Sequence, residues 1–187
     1  MPTPRIPLLQ YTRTAKALHW LLALLIVGML CMGLYMESLP FSPQKFQLIQ
    51  LHKSFGITIL MLAAARLLWR FTNPAPMLPE HMPLWQKAAA HLTHTALYAL
   101  MFAMPLSGYL MSDAAGYHPN WFGINVPILM APNPDLAKTL NWAHGMGANL
   151  FWALLAAHVG AALFHHVIVK DNTLRRMLPE AIARRLP

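Results

Sequence analysis

Residues 140–169 read LNWAHGMGANLFWALLAAHVGAALFHHVIV. Histidine is the only ionisable side chain in the stretch. As a helix its thirty residues would run roughly 45 Å, beyond the ~30 Å hydrocarbon core of a bilayer. His144 and His158 stand fourteen residues apart, which is roughly 21 Å along the axis. Fourteen steps of about 100° end some 40° short of four full turns, so both rings share one face. The stretch therefore predicts a membrane helix that presents one imidazole near each side of the bilayer.

The rest of the chain agrees with a membrane setting. Of 187 residues, 57% are hydrophobic and 11% charged, against about 25% charged in ordinary soluble domains. Three further apolar stretches, about 17–36, 48–69 and 92–111, bring the expected spans to four, in one transmembrane unit covering 1–187. Pro105 should kink the third span without ending it, because membrane helices tolerate proline. The first span is too long for a signal-peptide core, and no small-residue cleavage pattern follows it, so it reads as a retained helix. The expected fold is all-α: an integral membrane four-helix bundle. Cys31 is the single cysteine, which excludes an intrachain disulfide, an all-cysteine iron–sulfur site and a Cys-x-x-Cys-His haem attachment.

Orientation follows from Lys and Arg. With four spans, Arg5, Arg13, Lys16, Arg66, Arg70, Lys87, Lys170, Arg175, Arg176, Arg184 and Arg185 lie on one side, and Lys45, Lys53 and Lys138 on the other. The bias predicts a multi-pass membrane protein with both termini cytoplasmic. The basic charge then expresses this asymmetry and attraction to anionic lipid, and no nucleic-acid partner is expected. The outer connection, 112–139, carries Trp121, Phe122, Ile124, Val126, Ile128 and Leu129 among prolines. It is too apolar for a free linker and should fold over the outer helix ends.

Ionisable residues inside spans are costly and usually functional. His19 enters span one from the inside, and His52 enters span two from the outside. With His144 outer and His158 inner, the four histidines form two levels: His52 with His144, and His19 with His158. Two axial imidazoles per level suit a six-coordinate haem iron, so the bundle is expected to enclose two haems. A zinc site fits less well, because it needs three or four converging ligands. Fourteen residues after His19 comes Gly33, where a missing side chain would admit a porphyrin edge. Fourteen after His52 comes Arg66, where a guanidinium could meet a propionate. Gly56 and Gly147 add small surfaces near the outer level. Any one of these histidines could instead hydrogen-bond a neighbouring helix.

His91 and His94 form an H-x-x-H at the inner start of span three, suited more to hydrogen bonding a propionate or ligand than to direct ligation. His81 and His118 are expected in solvent, and the thirteen methionines in packing. His165, one heptad past His158, should lie on the same face at the cytoplasmic rim, with His166 and Lys170 behind it. That cluster could hold a quinone headgroup, or it could be ordinary interfacial snorkelling.

These residues resemble the bacterial cytochrome b561 family of small four-helix di-haem membrane proteins, over nearly the whole chain. The resemblance rests on His19-Trp20, His52 with Gly56, Arg66, His91 and His94, Pro105 with Gly108, and His144 and His158. It ends on His165-His166 followed by Lys170-Asp171-Asn172-Thr173-Leu174 and Arg176-Met177, which looks like the members that oxidise superoxide and reduce ubiquinone. The resemblance implies two haem b ligated by His19, His52, His144 and His158, and ubiquinone held by His165 and Lys170. It implies electron transfer from a periplasmic donor, superoxide, to ubiquinone. The outer side is charge-neutral, with Lys45, Lys53 and Lys138 against Glu37, Asp113 and Asp135. Steering of an anion would therefore fall to Lys53, beside His52. The alternative reading is a cytochrome b subunit that anchors a hydrogenase- or dehydrogenase-like protein redox partner. A proton-coupled transporter is disfavoured, because the spans carry no acidic residues.

Overall fold

The structure, a computed structural model, describes residues 10–79 and 82–183. Arg5, His81, Arg184 and Arg185 lie outside the described residues. Four long helices dominate: α1 (Arg13–Ser38), α2 (Pro43–Thr72), α3 (Leu84–Ala114) and α4 (Pro134–Phe164). A π-helical turn (His165–Val169) extends α4, and a single-turn α5 (Glu180–Ala183) follows. Each long helix carries a stretch long and apolar enough to cross a membrane.

Helix starts are written in the sequence. Thr12, Ser42 and Asn133 accept the amide N–H groups of Ala15, Lys45 and Leu136, and proline fills the first turn after Ser42 and Asn133. A side-chain acceptor followed by proline satisfies one orphan donor and pre-sets the backbone for a helix. The first three helices overrun the expected spans at both ends and α4 overruns its span at the start only, because hydropathy detects the lipid-facing portion and not the capped polar turns. α3 runs through Pro105 to Ala114 unbroken.

In the bundle α1 packs on α2, α2 on α3, and α3 on α4. The buried core is a single layer at mid-depth: Leu22 and Ile26 of α1, Ile59 and Ala63 of α2, Leu100 and Met101 of α3, and Phe151 of α4. Phe151 lies seven residues from both His144 and His158, so this layer separates the two histidine levels. Large apolar side chains point outward as well. Leu24 is 73% and Leu92 73% exposed, which suits a lipid solvent that rewards an apolar exterior.

The outer connection folds back over the helix ends, as its apolar content predicts. Strands β1 (Asn120–Trp121) and β2 (Ile124–Asn125) pair antiparallel, with Trp121 opposite Ile124. Phe122 (φ 49°) and Gly123 (φ 89°) close a two-residue turn of the kind that matches strand twist. A positive φ is unfavourable for phenylalanine. It is held by the Phe122 N–H donating to Ser54 Oγ (3.1 Å) and by an edge contact with Phe55 at 5.4 Å between centroids. Trp121 Nε1 donates to Thr58 Oγ1 (3.1 Å).

The other anchor is Asp113, which is fully buried. Its carboxylate accepts from Leu129 N (2.7 Å) and pairs with His118 Nδ1 (3.0 Å). His118 is therefore a partner of a buried acid and not a simply solvated side chain, because a buried carboxylate needs donors. Replacing Asp113 with Ala should leave the Leu129 amide without its acceptor. A hydrogen bond to a charged group contributes about 1.5–3 kcal/mol, which at ~2–4 °C per kcal/mol lowers Tm by roughly 3–12 °C. Thermal unfolding of the purified protein checks this, and Asp113→Asn, which keeps an acceptor, should lose less.

Candidate functional site

The four span histidines meet in two pairs. His52 of α2 and His144 of α4 face each other with ring centroids 6.4 Å apart, and His19 of α1 and His158 of α4 at 6.2 Å. An imidazole nitrogen sits about 2 Å from a bound metal, so two rings on opposite faces of one iron have centroids roughly 6 Å apart once the ring radius is added. Both pairs have that spacing. Among the described residues no three His, Cys, Asp or Glu side chains converge as a metal-ion cluster. The donor set is thus opposed imidazole pairs, suited to axial ligation of a flat macrocycle.

The outer pair borders a cavity of about 590 Å³ whose lining includes Gly33, Gly56, Lys53 and Gly108. A Cβ at Gly33 or Gly56 would meet nothing within 4 Å, so the missing side chains leave room. Gly147 differs: its Cβ would come within 2.6 Å of Met104 Sδ, so it serves helix packing. At Gly108 a Cβ would lie 3.2 Å from His144 Cε1, so glycine there lets α3 pass behind the ring.

Ser107 fixes the His144 tautomer. Its hydroxyl donates to Met104 O (3.0 Å) and lies 2.9 Å from His144 Nδ1. A hydroxyl has one proton, so toward His144 its oxygen accepts, the proton stays on Nδ1, and Nε2 keeps its lone pair. His52 Nδ1 is buried and meets no partner among the described residues. A cavity of this size, an orphaned imidazole nitrogen and a tautomer poised to ligate fit a haem at the outer level.

The inner level holds more than two rings. His94 lies 5.3 Å from His158 between centroids, so three imidazoles gather where spacing alone placed two. His91 is exposed. Arg66 donates to Ala15 O (3.0 Å), lies 3.3 Å from His19 Nδ1, and sits over the Tyr98 ring at 5.8 Å. A guanidinium can only donate, so in this arrangement it faces the lone pair of Nδ1. Lys53 of the outer level donates to Tyr117 O (3.0 Å) and lines the outer cavity.

His165 departs from its expected setting. The helix widens into the π turn at this residue, which ends the α-helical phase that ties it to His158. The residue is buried, 8% exposed, and its Nδ1 lies 2.7 Å from Asp171 Oδ2. Lys170 adopts the left-handed conformation (φ 57°) that closes the turn and brings Asp171 back to the ring. Asp171, unremarked in the sequence beyond the motif that contains it, is the residue that orients His165. Burial pushes its carboxyl pKa up, but hydrogen bonds from Thr173 and His165 outweigh this and hold it below the usual carboxylate range.

Comparison with known proteins places this geometry in context. Residues 10–180 match the family described as prokaryotic cytochrome b561. Cytochrome b561 homolog 2 of Escherichia coli (strain K12) is 38% identical over 175 residues, covering 90% of this chain and 91% of that protein. Cytochrome b561 homolog 1 of the same organism is 34% identical over 172 residues, 91% of this chain and 97% of the relative. A protein named probable superoxide oxidase CybB, from Yersinia pestis, is 33% identical over 174 residues, again 91% and 97%.

The Asp171 carboxylate has a consequence in acid. A depressed folded-state pKa stabilises the fold above the ordinary carboxylate range, and that contribution disappears as pH falls through the depressed value. The Tm gap between the wild type and Asp171→Asn should stay constant above about pH 5 and narrow below about pH 4. A gap that is flat across the acid range would mean that the carboxylate contributes nothing in its charged form.

Proposed function

We propose that this chain, which belongs to the prokaryotic cytochrome b561 family, carries electrons from superoxide on the periplasmic side to ubiquinone on the cytoplasmic side. The observation that carries the reading is the pair of opposed imidazoles at each of two depths, 6.4 and 6.2 Å between centroids, both anchored on α4. Membership makes it a membrane electron-transfer protein, and the family implies haem b. Under this reading His52 and His144 hold one haem and His19 and His158 the other. Bound haem b supplies one-electron redox chemistry at each level. Both termini are cytoplasmic, following the Lys and Arg bias.

The chain's own residues then have defined tasks. Superoxide gives up one electron and leaves as dioxygen, so two are consumed for each ubiquinone that takes two electrons and two protons to become ubiquinol. Lys53 keeps ammonium protons free beside the outer cavity after its bond to Tyr117 O and can draw in the anion. Ser107 holds His144 in the ligating tautomer. Were His19 to hold the iron through Nε2, its ring proton would sit on Nδ1, and Arg66, 3.3 Å from that nitrogen, would be available to pair with a propionate. At the inner rim the Asp171 carboxylate accepts from His165 Nδ1 and fixes the ring, and when Nε2 also carries a proton taken up from the cytoplasmic side it can donate to the quinone oxygen and pass that proton on. Lys170 adds a second donor there.

The name of the Yersinia relative supports superoxide as donor. The exposed outer side chains Ile124 (59%) and Ile128 (60%) favour a second reading, in which that surface docks a hydrogenase- or dehydrogenase-like protein.

Stopped-flow mixing of the purified haem-loaded protein with superoxide should produce the reduced b-type spectrum without a protein partner. No reduction would leave the partner-docking reading. Replacing His52 or His144 should lose mainly one haem, and replacing His19 or His158 mainly the other. His165→Ala and Lys170→Ala should keep both haems and fast reduction but slow reoxidation by a soluble ubiquinone analogue. One lost hydrogen bond costs about 1–3 kcal/mol, or roughly 5–150-fold in quinone affinity. Unchanged reoxidation in both variants would move the quinone to His91 and His94.

A further inference from the structure

The β1–β2 turn does more than cover helix ends, because it lies along the side of α2. Ser54 Oγ accepts from the Phe122 amide and shares its proton between Gln50 O and Asn120 O (both 3.1 Å). Thr58 Oγ1, one helical turn further on, accepts from the Trp121 indole. At about 100° per residue, Ser54 and Thr58 stand roughly 200° and 240° round α2 from His52. Ile59 and Ala63, the α2 residues of the buried core, stand within about 20° of it. The turn therefore sits on the face of α2 opposite the bundle interior, and there it covers Ser54, which is 3% exposed.

Depth identifies what covers the other side of the turn. The 30 residues of α2 run roughly 45 Å, about 15 Å more than a hydrocarbon core. Thr58 stands about 22 Å along the axis from Pro43. Even with the whole excess on the Pro43 side, Thr58 is about 7 Å inside the hydrocarbon. With the excess shared equally, Ser54 is about 9 Å inside and Thr58 is near the middle. The indole that reaches Thr58 is therefore below the headgroups. The sequence suits that medium: from Ala114 to Pro134 it holds no Lys, Arg, Asp or Glu. Phe122 and Ile124 leave more than half of their surface uncovered. Irregular backbone survives at this depth only where its polar groups are matched. The turn meets that condition, with the Phe122 amide on Ser54 Oγ and the Gly123 amide on Asn120 Oδ1 (3.0 Å).

We propose that the Trp121–Ile124 turn is a re-entrant element, dipped into the leaflet nearest the His52–His144 level, with Phe122 and Ile124 in contact with lipid acyl chains. Its partner is hydrocarbon, so Ile124 is withdrawn from any protein-docking surface. The placement rests on helix length, helix phase and the hydrogen bonds that tie the turn to α2. It is independent of the haem and quinone assignments and of which side of the membrane the termini occupy.

The test is thiol labelling of the haem-loaded protein, in a Cys31→Ser background, in liposomes of dioleoylphosphatidylcholine and dioleoylphosphatidylglycerol. A charged methanethiosulfonate, present on both sides of the membrane, is applied to Ile124→Cys. The references are Leu24→Cys, on the exposed apolar face of α1, and Asp135→Cys, in the first turn of α4. Ile124→Cys should react roughly tenfold or more slower than Asp135→Cys and at a rate close to Leu24→Cys, because hydrocarbon excludes both the reagent and the thiolate. Ile124 is exposed in the chain itself, so slow labelling has lipid or a second protein chain as its cause. A benzophenone maleimide on Ile124→Cys separates these, and photolysis should give an acyl-chain adduct seen by mass spectrometry. Phe122→Cys repeats both measurements where Ile124→Cys does not retain haem. Labelling at the Asp135→Cys rate, or the lack of a lipid adduct, overturns the proposal. An adduct to a second protein chain in place of lipid also overturns it and assigns this face to protein docking.

Discussion

Inside a bilayer no water is available to satisfy a polar side chain, so each imidazole in a span must find a partner within the bundle. This constraint organises the molecule. α4 carries one ring toward each side, and its partners His52 and His19 come from two different helices that run in opposite directions. The fourteen-residue interval sets the separation of the levels, and Phe151 at its midpoint belongs to the apolar layer between them. Burial elsewhere is sparse because lipid, not a large core, solvates the apolar exterior. Helix-to-helix association must then come from close packing, polar contacts and whatever flat group fills the spaces between paired rings.

The same constraint explains how the ends are closed. At the outer end, Asp113 and the hydroxyls of Ser54 and Thr58 bind the returning loop through its backbone and Trp121. At the other end, Trp20 and Arg176 reach the carbonyls of Met177 and Met77. Apart from the Trp121–Thr58 bond between side chains, each contact pairs a side chain on a long helix, or on its continuation, with backbone outside the helices. The outer cavity is lined in part by Lys53.

Much of this was legible in the sequence, because membrane helices obey two simple periodicities. Hydropathy locates four spans, and residue spacing places His52 with His144 and His19 with His158. The arrangement of the surrounding side chains was less legible. His94 joins the inner level because α3 rotates it toward α4, and a lone helix does not announce its rotation about its own axis. Ser107 and Asp171 each reach their histidine through one hydrogen bond, which no composition or spacing signals. His165 shows the limit most clearly: a heptad count assumes α geometry, and the π turn inserts a wider step at that residue.

The surroundings of the two levels are electrically unequal, and this bears on direction. The outer pair is attended by the neutral Ser107 hydroxyl, and the two charges on that side of the bundle, the Lys53 ammonium lining the cavity and the buried Asp113 carboxylate, oppose each other. The inner pair has the Arg66 guanidinium at 3.3 Å from His19 Nδ1. An electron adds one negative charge wherever it resides. A fixed cation about 8 Å away at an effective dielectric of about 20 lowers its energy by about 2 kcal/mol, and a fixed anion raises it by as much. The protein's own charges thus favour the electron at the inner level. Under the proposed reading that gradient points from the superoxide side to the quinone side, and Arg66 contributes to it whether it faces His19 or a propionate.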